Sequence, residues 1–217
     1  MAGRPHLSRD RIVEAALHLL DAKPGSDLTM RTLAGDLGVD PMAIYHYMPN
    51  KEALLHAVVG RFLDDFELPE PEGGWKDQVE ALCRAFRALG HRHRGGFLVY
   101  VLNEKWAENE VHINEAFYSV LRAAGFAKTE TVFSAQLLMS YTETFTWGEL
   151  TDWHGSYSPE ERRDLEGALS DDRYPVTASL AGAMYNVTIE EEFDFGLKTV
   201  IAGLDAQRNG NGSGGAP

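Results

Sequence analysis

The chain has 217 residues, 44% hydrophobic and 24% charged, enough apolar material for a buried core, which excludes a disordered polymer. No run approaches the roughly 18 apolar residues of a membrane span, the opening Met-Ala-Gly-Arg-Pro-His has no apolar signal core, and one cysteine excludes an internal disulfide or a cysteine-built zinc site, so a cytoplasmic protein with no membrane partner is expected. In residues 1–63 seven Lys/Arg balance seven Asp/Glu, so the whole net charge of −13 falls on residues 64–217 and, with screening over ~8 Å, does not bar the N-terminal part from a polyanion.

Arg4, His6, Arg9 and Arg11 form a basic opening within reach of phosphates. Ser8 can cap a first helix, with Asp10 in its first turn. Ile12, Ala15, Ala16, Leu19 and Leu20 recur at helical spacing, and Lys23-Pro24-Gly25 ends the run. Thr29 is a second N-cap, for a helix that reaches Leu37. Gly38 then stands where the chain turns sharply and a positive φ is cheap only for glycine. Asp40 caps a third helix with Pro41 at its first position. Leu33, Ala34, Leu37, Val39 and Ile44 are spaced to meet between these two helices, Ala34 being small where they cross. Met42, Ala43, Tyr45, His46 and Tyr47 are left on the outer face. This is the pattern of a helix-turn-helix whose second helix can enter a DNA major groove. Asn50 caps the next helix, and Lys51 in its first turn makes that N-terminus a phosphate clamp.

These elements together, Leu28-Thr29-x-Arg31, Leu33-Ala34, Leu37-Gly38-Val39, Ile44-Tyr45 and Asn50-Lys51-x-x-Leu54-Leu55, resemble the DNA-binding domain of the TetR family of bacterial transcription regulators. The resemblance runs from Leu7 to about Phe66. A fainter likeness to the tetracycline repressor branch continues from Trp75 to about Leu150 and in Phe193-Asp-Phe-Gly-Leu197.

The fourth helix carries Ala53, Leu54, Ala57, Val58, Arg61 and Phe62 and stops in the acidic Pro/Gly stretch from Asp64 to Gly74, a natural domain boundary. An amphipathic helix follows over 75–92, then a short apolar one over 95–105 and two more over 110–124 and 129–149. His91-Arg-His-Arg94 reads as a solvated helix end, because its two histidines point to different sides. Ser158-Pro159-Glu160-Glu161 starts a short charged helix. No regular element is expected over 171–187, which Pro175 breaks. Thr188-x-x-Glu191 is a capping box opening a last helix whose Ile189, Phe193, Leu197, Val200, Ile201 and Leu204 form one apolar stripe. The Gly/Asn-rich remainder has nothing to bury. With no sustained alternation, the expected fold is all-α. It comprises a three-helix DNA-binding domain with a helix-turn-helix at 1–66, a helical ligand-binding and dimerisation domain at 67–205, and a disordered tail at 206–217.

The chain contains no Gly-rich phosphate loop, no His-Glu-x-x-His and no nucleophile elbow, so no catalytic residue, metal ligand set or cofactor is expected. A double-stranded DNA operator is the expected partner, read by Thr29, Arg31, Pro41, Met42, Ala43, Tyr45, His46 and Tyr47, with Lys51 on phosphate. A purely constitutive DNA binder would need dimer symmetry but no cavity; about 145 residues beyond the head, rich in aromatic groups, are more than dimerisation requires. The resemblance implies a homodimeric repressor released by a small-molecule effector, with the last two long helices as the interface and the C-terminal stripe lying in it. It also implies a pocket at Leu82, Phe86, Tyr100, Asn103, Trp106, Phe117, Gln136 and Met139. Tyr100 stands where the tetracycline repressor has a magnesium-binding histidine and Leu82 replaces a polar ligand contact. The implied effector is therefore a mostly apolar, aromatic molecule bound without magnesium.

Overall fold

The computed structural model describes residues 6–103, 108–153, 158–169 and 173–212. Among them are eleven helices and no strand, so the fold is all-α. In order these are α1 (Arg9–Ala22), α2 (Met30–Leu37), α3 (Pro41–Tyr45), α4 (Lys51–Asp64), α5 (Trp75–Arg92), α6 (Arg94–Val101), α7 (Glu110–Ala123), α8 (Lys128–Leu150), α9 (Pro159–Ala168), α10 (Pro175–Asn186) and α11 (Ile189–Gly212). None is long and apolar enough to cross a membrane.

The chain divides into two compact units, residues 1–147 and 148–217. In the first, α1 buries Ile12, Val13, Ala16, Leu17 and Leu20 against Leu33 and Ala34 of α2, Ile44 of α3, and Leu54 and Val58 of α4. The acidic stretch at 64–74, where a domain change is expected, falls inside this unit, because α1 and α4 both pack directly on α6. Behind them Phe62, Phe86, Phe97 and Phe117 have no solvent exposure. Rings of Phe97 and Tyr100 pack on Phe62, and those of Phe86, Phe97 and Tyr100 on one another, with centroids 5.7–6.1 Å apart, inside the range where aromatic pairs attract beyond their buried area. Cys83 lies in the same core, and burial pushes its thiol up to about 12, which leaves it unreactive.

In the second unit α9 opens with the expected capping box, Ser158 Oγ accepting from Glu161 N–H and Glu161 Oε2 accepting from Ser158 N–H at 2.7 Å. Three expectations are corrected here. Residues 175–186 are helical: Pro175 takes the first position, where its missing N–H breaks nothing, and the run that follows includes the good helix formers Ala178, Leu180, Ala181, Ala183 and Met184. The last helix also continues through 206–212, with Arg208 paired to Asp205 at 3.0 Å, where a disordered tail is expected. Finally, Phe193, Leu197, Ile201 and Leu204 are buried within the isolated subunit. That stripe is core and cannot be the face offered to a second copy. The exposed side of α11 carries Phe195 instead, and α8 exposes Val132, Phe133 and Leu137.

Candidate nucleic-acid interface and effector cavity

The helix-turn-helix follows from local rules. Thr29 Oγ1 accepts from Thr32 N–H and Thr32 Oγ1 accepts from Thr29 N–H, each at 3.1 Å, a reciprocal cap that starts α2. Gly38 sits at φ 67°, ψ 36°, and Val39 N–H closes on the Ala34 carbonyl at 3.0 Å. Asp40 Oδ1 then accepts from Met42 N–H at 2.8 Å, opening α3 behind Pro41. α3 is only five residues long, too short to persist alone. Ile44 and Met48, both fully buried, hold it against α1 and α2.

Met42 is 64% exposed and Tyr45 41%; His46, Tyr47, Thr29 and Arg31 also face water, while Pro41 and Ala43 are half-buried. The geometry qualifies two of the expected DNA contacts. The Tyr47 hydroxyl donates to the Leu7 carbonyl at 2.9 Å, which ties the recognition segment to the chain just before α1. Lys51, at the N-terminus of α4 next to the Asn50 cap (Asn50 Oδ1 from Ala53 N–H, 2.7 Å), is ion-paired with the exposed Asp27. Such an exposed pair contributes little and yields readily to a phosphate. Neither tie is signalled by spacing, since their partners lie 40 and 24 residues away.

A cavity of about 300 Å³ lies between α6, α7 and α8. Of the expected pocket residues, Tyr100, Gln136 and Met139 line it. Phe86 and Phe117 do not: both are fully buried, and Phe86, packed among Phe66, Phe97 and Tyr100, is part of the wall behind the cavity. Leu82 lines a separate apolar groove beside Ala116 and Val120. Asn103 is half-buried and lines neither, and Trp106 lies outside the described residues. The cavity beside Tyr100 is not the apolar chamber expected. Glu110 and Asn114 of α7, with Gln136, Ser140 and Glu143 of α8, make this cavity polar. Their spacing, 110–114 on one helix and 136–140–143 on the other, is a helical stripe that a search for apolar faces passes over.

The Tyr100 hydroxyl donates to Glu143 Oε1 at 2.5 Å. Burial, with the charge of Glu143 beside it, holds the Tyr100 hydroxyl well above its ordinary range. Burial also raises Glu143; the Tyr100 hydrogen bond opposes that rise and the neighbouring Glu110 charge adds to it.

The other end of α6 is gripped by the N-terminal helices. Asp21, near the end of α1, accepts from the N–H groups of Gly95 and Gly96 at 2.8 and 3.1 Å through Oδ1. Its Oδ2 lies 2.8 Å from His93 Nδ1, and His93 Nε2 lies 3.1 Å from Asp65 Oδ2, just past α4. His93, expected at a solvated helix end, is thus a bridge between two carboxylates, while His91 is exposed as expected. Contact is close enough to demand glycine: a Cβ on Gly95 would meet the Leu20 carbonyl at 2.2 Å.

Comparison with known proteins matches two stretches of the chain to family profiles. Residues 12–58 match the profile of the bacterial regulatory proteins of the tetR family, and residues 68–208 match the tetracyclin repressor-like C-terminal domain. The HTH-type transcriptional repressor DrrR1 of Streptomyces coeruleorubidus is 30% identical, over 95% of this chain and 82% of its own. ActR of Streptomyces coelicolor, solved in complex with actinorhodin, superposes with a TM-score of 0.81 at 28% identity, covering 94% of this chain and 99% of its own. BioQ, solved with its double-stranded DNA operator, does so with a TM-score of 0.68 at 26% identity, covering 93% and 99%.

Proposed function

The chain belongs to the tetR family of bacterial regulatory proteins and is a DNA-binding transcriptional regulator, and we propose that it is a cytoplasmic repressor that holds a palindromic operator as a homodimer and releases it when a small molecule fills the cavity between α6, α7 and α8. In this reading residues 1–66 form the DNA-binding part and 67–205 the effector-binding and dimerisation part. Met42, Tyr45, His46 and Tyr47 face base edges and Thr29 faces the backbone, with Pro41 and Ala43 packing closer in. Arg31 donates bidentately to a guanine. Lys51 exchanges Asp27 for a phosphate. Solved complexes of ActR with actinorhodin and of BioQ with operator DNA support the same two kinds of partner here.

One observation carries the reading. α6 is eight residues long, about 12 Å, with Tyr100 on the cavity wall at one end and its first N–H groups held by Asp21 at the other. A molecule that moves Tyr100 therefore moves the helix on which α1 and α4 rest, and with them the recognition helix. Effector and operator then favour different positions of one rigid element, and each weakens the other by the same factor. The exposed apolar side chains of α8 (Phe133, Leu137), of α10 (Val176, Leu180) and of α11 (Phe195) are more than a lone subunit leaves in water, and support a second copy as their cover. Tyr100 stands in place of the magnesium-binding histidine of the tetracycline repressor, so in this reading effector binding does not depend on magnesium.

Selection of bound sequences from random duplex DNA tests this reading, followed by operator titration during a small-molecule screen. The expected result is two inverted half-sites about one helical turn apart and a compound that weakens binding roughly 5- to 150-fold, unchanged by EDTA. Single, unpaired half-sites, or a compound that stabilises the protein without altering DNA binding, would count against it.

A further inference from the structure

The cavity has a charge. Glu143 and Glu110 both line it, and none of its described lining residues is cationic. The partner of Glu143 is the neutral Tyr100 hydroxyl. One carboxylate oxygen is thereby oriented by a neutral group. Asn114, Gln136 and Ser140 add polar groups around it, and Met139 and Ile113 supply the apolar remainder of the wall. A half-buried carboxylate next to a second one costs free energy until a cation joins it.

We infer that the cavity selects cationic effectors, with a protonated amine seated against Glu143 and beside Glu110. The inference rests on the reading of this cavity as the effector site. It alters the expectation from the sequence: an aromatic body still fits beside Met139 and Ile113, but the recognition point is an ammonium group. It also offers a trigger. An ammonium competing for Glu143 releases the Tyr100 hydroxyl, and Tyr100 stands on the helix that bears on α1 and α4. Tyr100 from α6 and Glu110 and Tyr118 from α7 are the titratable groups that share the cavity with Glu143. Because burial raises Glu143, a cation binds more tightly as pH rises and that proton leaves.

Three probes of one shape test the charge: 1-naphthylmethylamine, neutral 1-naphthylmethanol and anionic 1-naphthoate, titrated calorimetrically into the full-length protein. The amine should bind at least about tenfold more tightly than the alcohol, as expected for a hydrogen bond to a charged partner, and the carboxylate most weakly. Glu143→Gln, which keeps an oxygen for Tyr100, should remove the preference for the amine over the alcohol. Glu110→Gln should reduce that preference in part, which secures the test if the first variant folds poorly. Raising the pH from 5 to 8 should strengthen the amine alone. Equal binding of all three probes would overturn the charge preference and leave the effector site standing. Binding of none of them would overturn both, and an amine preference that survives both substitutions would overturn the role of Glu143.

Discussion

In the helix-turn-helix the residues proposed to face DNA stand clear of a core already complete without them. Ile44 and Met48 have no exposure beneath α3, while Met42 and Tyr45 project into water. Between α6, α7 and α8 core and site share side chains. Tyr100 packs its ring on Phe62, Phe86 and Phe97 and turns its hydroxyl to Glu143 in the cavity. A change on the DNA face therefore tests recognition alone, whereas a change beside the cavity tests stability and response together unless the residue only lines the opening.

The largest effect that would sharpen this contrast comes from two leucines. Leu197→Asp puts an unpaired charge at a position with no exposure and should prevent folding, seen as loss of helical circular dichroism. Leu137→Asp, on the exposed face of α8, should leave the helix content intact and yield monomers by sedimentation. If Leu197→Asp folds as a monomer, the burial of that stripe has been misread. Next, Phe86→Ala should cost about 3–5 kcal/mol in a denaturant titration, as for a fully buried ring. Met139→Ala, on the cavity wall, should cost about 1 kcal/mol or less. Similar losses for the two would erase the distinction between wall and lining.

Recognition variants should leave the melting temperature alone. Arg31→Ala should lose about 1–3 kcal/mol of discrimination at one base pair per half-site. Lys51→Ala should weaken all sequences alike and lower the salt slope by roughly 1 per half-site. Asp27→Asn should tighten DNA binding slightly by freeing Lys51. A sequence preference altered by Lys51→Ala, with the salt slope unchanged, would reverse the two assignments.

The smallest effect is electrostatic. Glu143 is raised in the folded protein, so its contribution to stability is fully present below the ordinary glutamate range and is lost as pH rises through the raised value. Glu143→Gln should therefore melt with the wild type near pH 4 and above it at pH 8. Equal melting at both would mean that Glu143 is better solvated than its setting implies.

The same contrast decides what could be read from the sequence. Caps, the positive φ at Gly38 and the proline at the start of α3 act within four residues, so the head was legible almost residue by residue. Even its core face was displaced only slightly, toward Val13 and Leu17. The cavity depends on which side of α7 meets which side of α8. Aromatic residues announce apolar burial, and Phe86 and Phe117 are indeed buried, but nothing local separates a ring that closes the core from one that lines a space. The C-terminal stripe misled for a related reason: periodicity shows that a helix hides one face, and is silent about whether its own chain or a second copy does the hiding. Pro175 breaks a helix only from inside one, and at the first position of α10 it fits.

Gly95 limits how this regulator can be recombined. Its Cα rests against the Leu20 carbonyl, and its N–H is held by Asp21, so part of the seat of the DNA-binding head is made by residues beyond the acidic stretch at 64–74. A chimaera joined in that stretch keeps the chain continuous yet sets Asp21 and Asp65 against foreign residues. A junction after Val101 carries His93, Gly95 and the whole of α6 along with the head, and leaves Tyr100 as the part that must suit the new cavity. For sensors assembled from interchangeable parts, the transplantable unit of this protein is residues 1–101 rather than the reading domain alone.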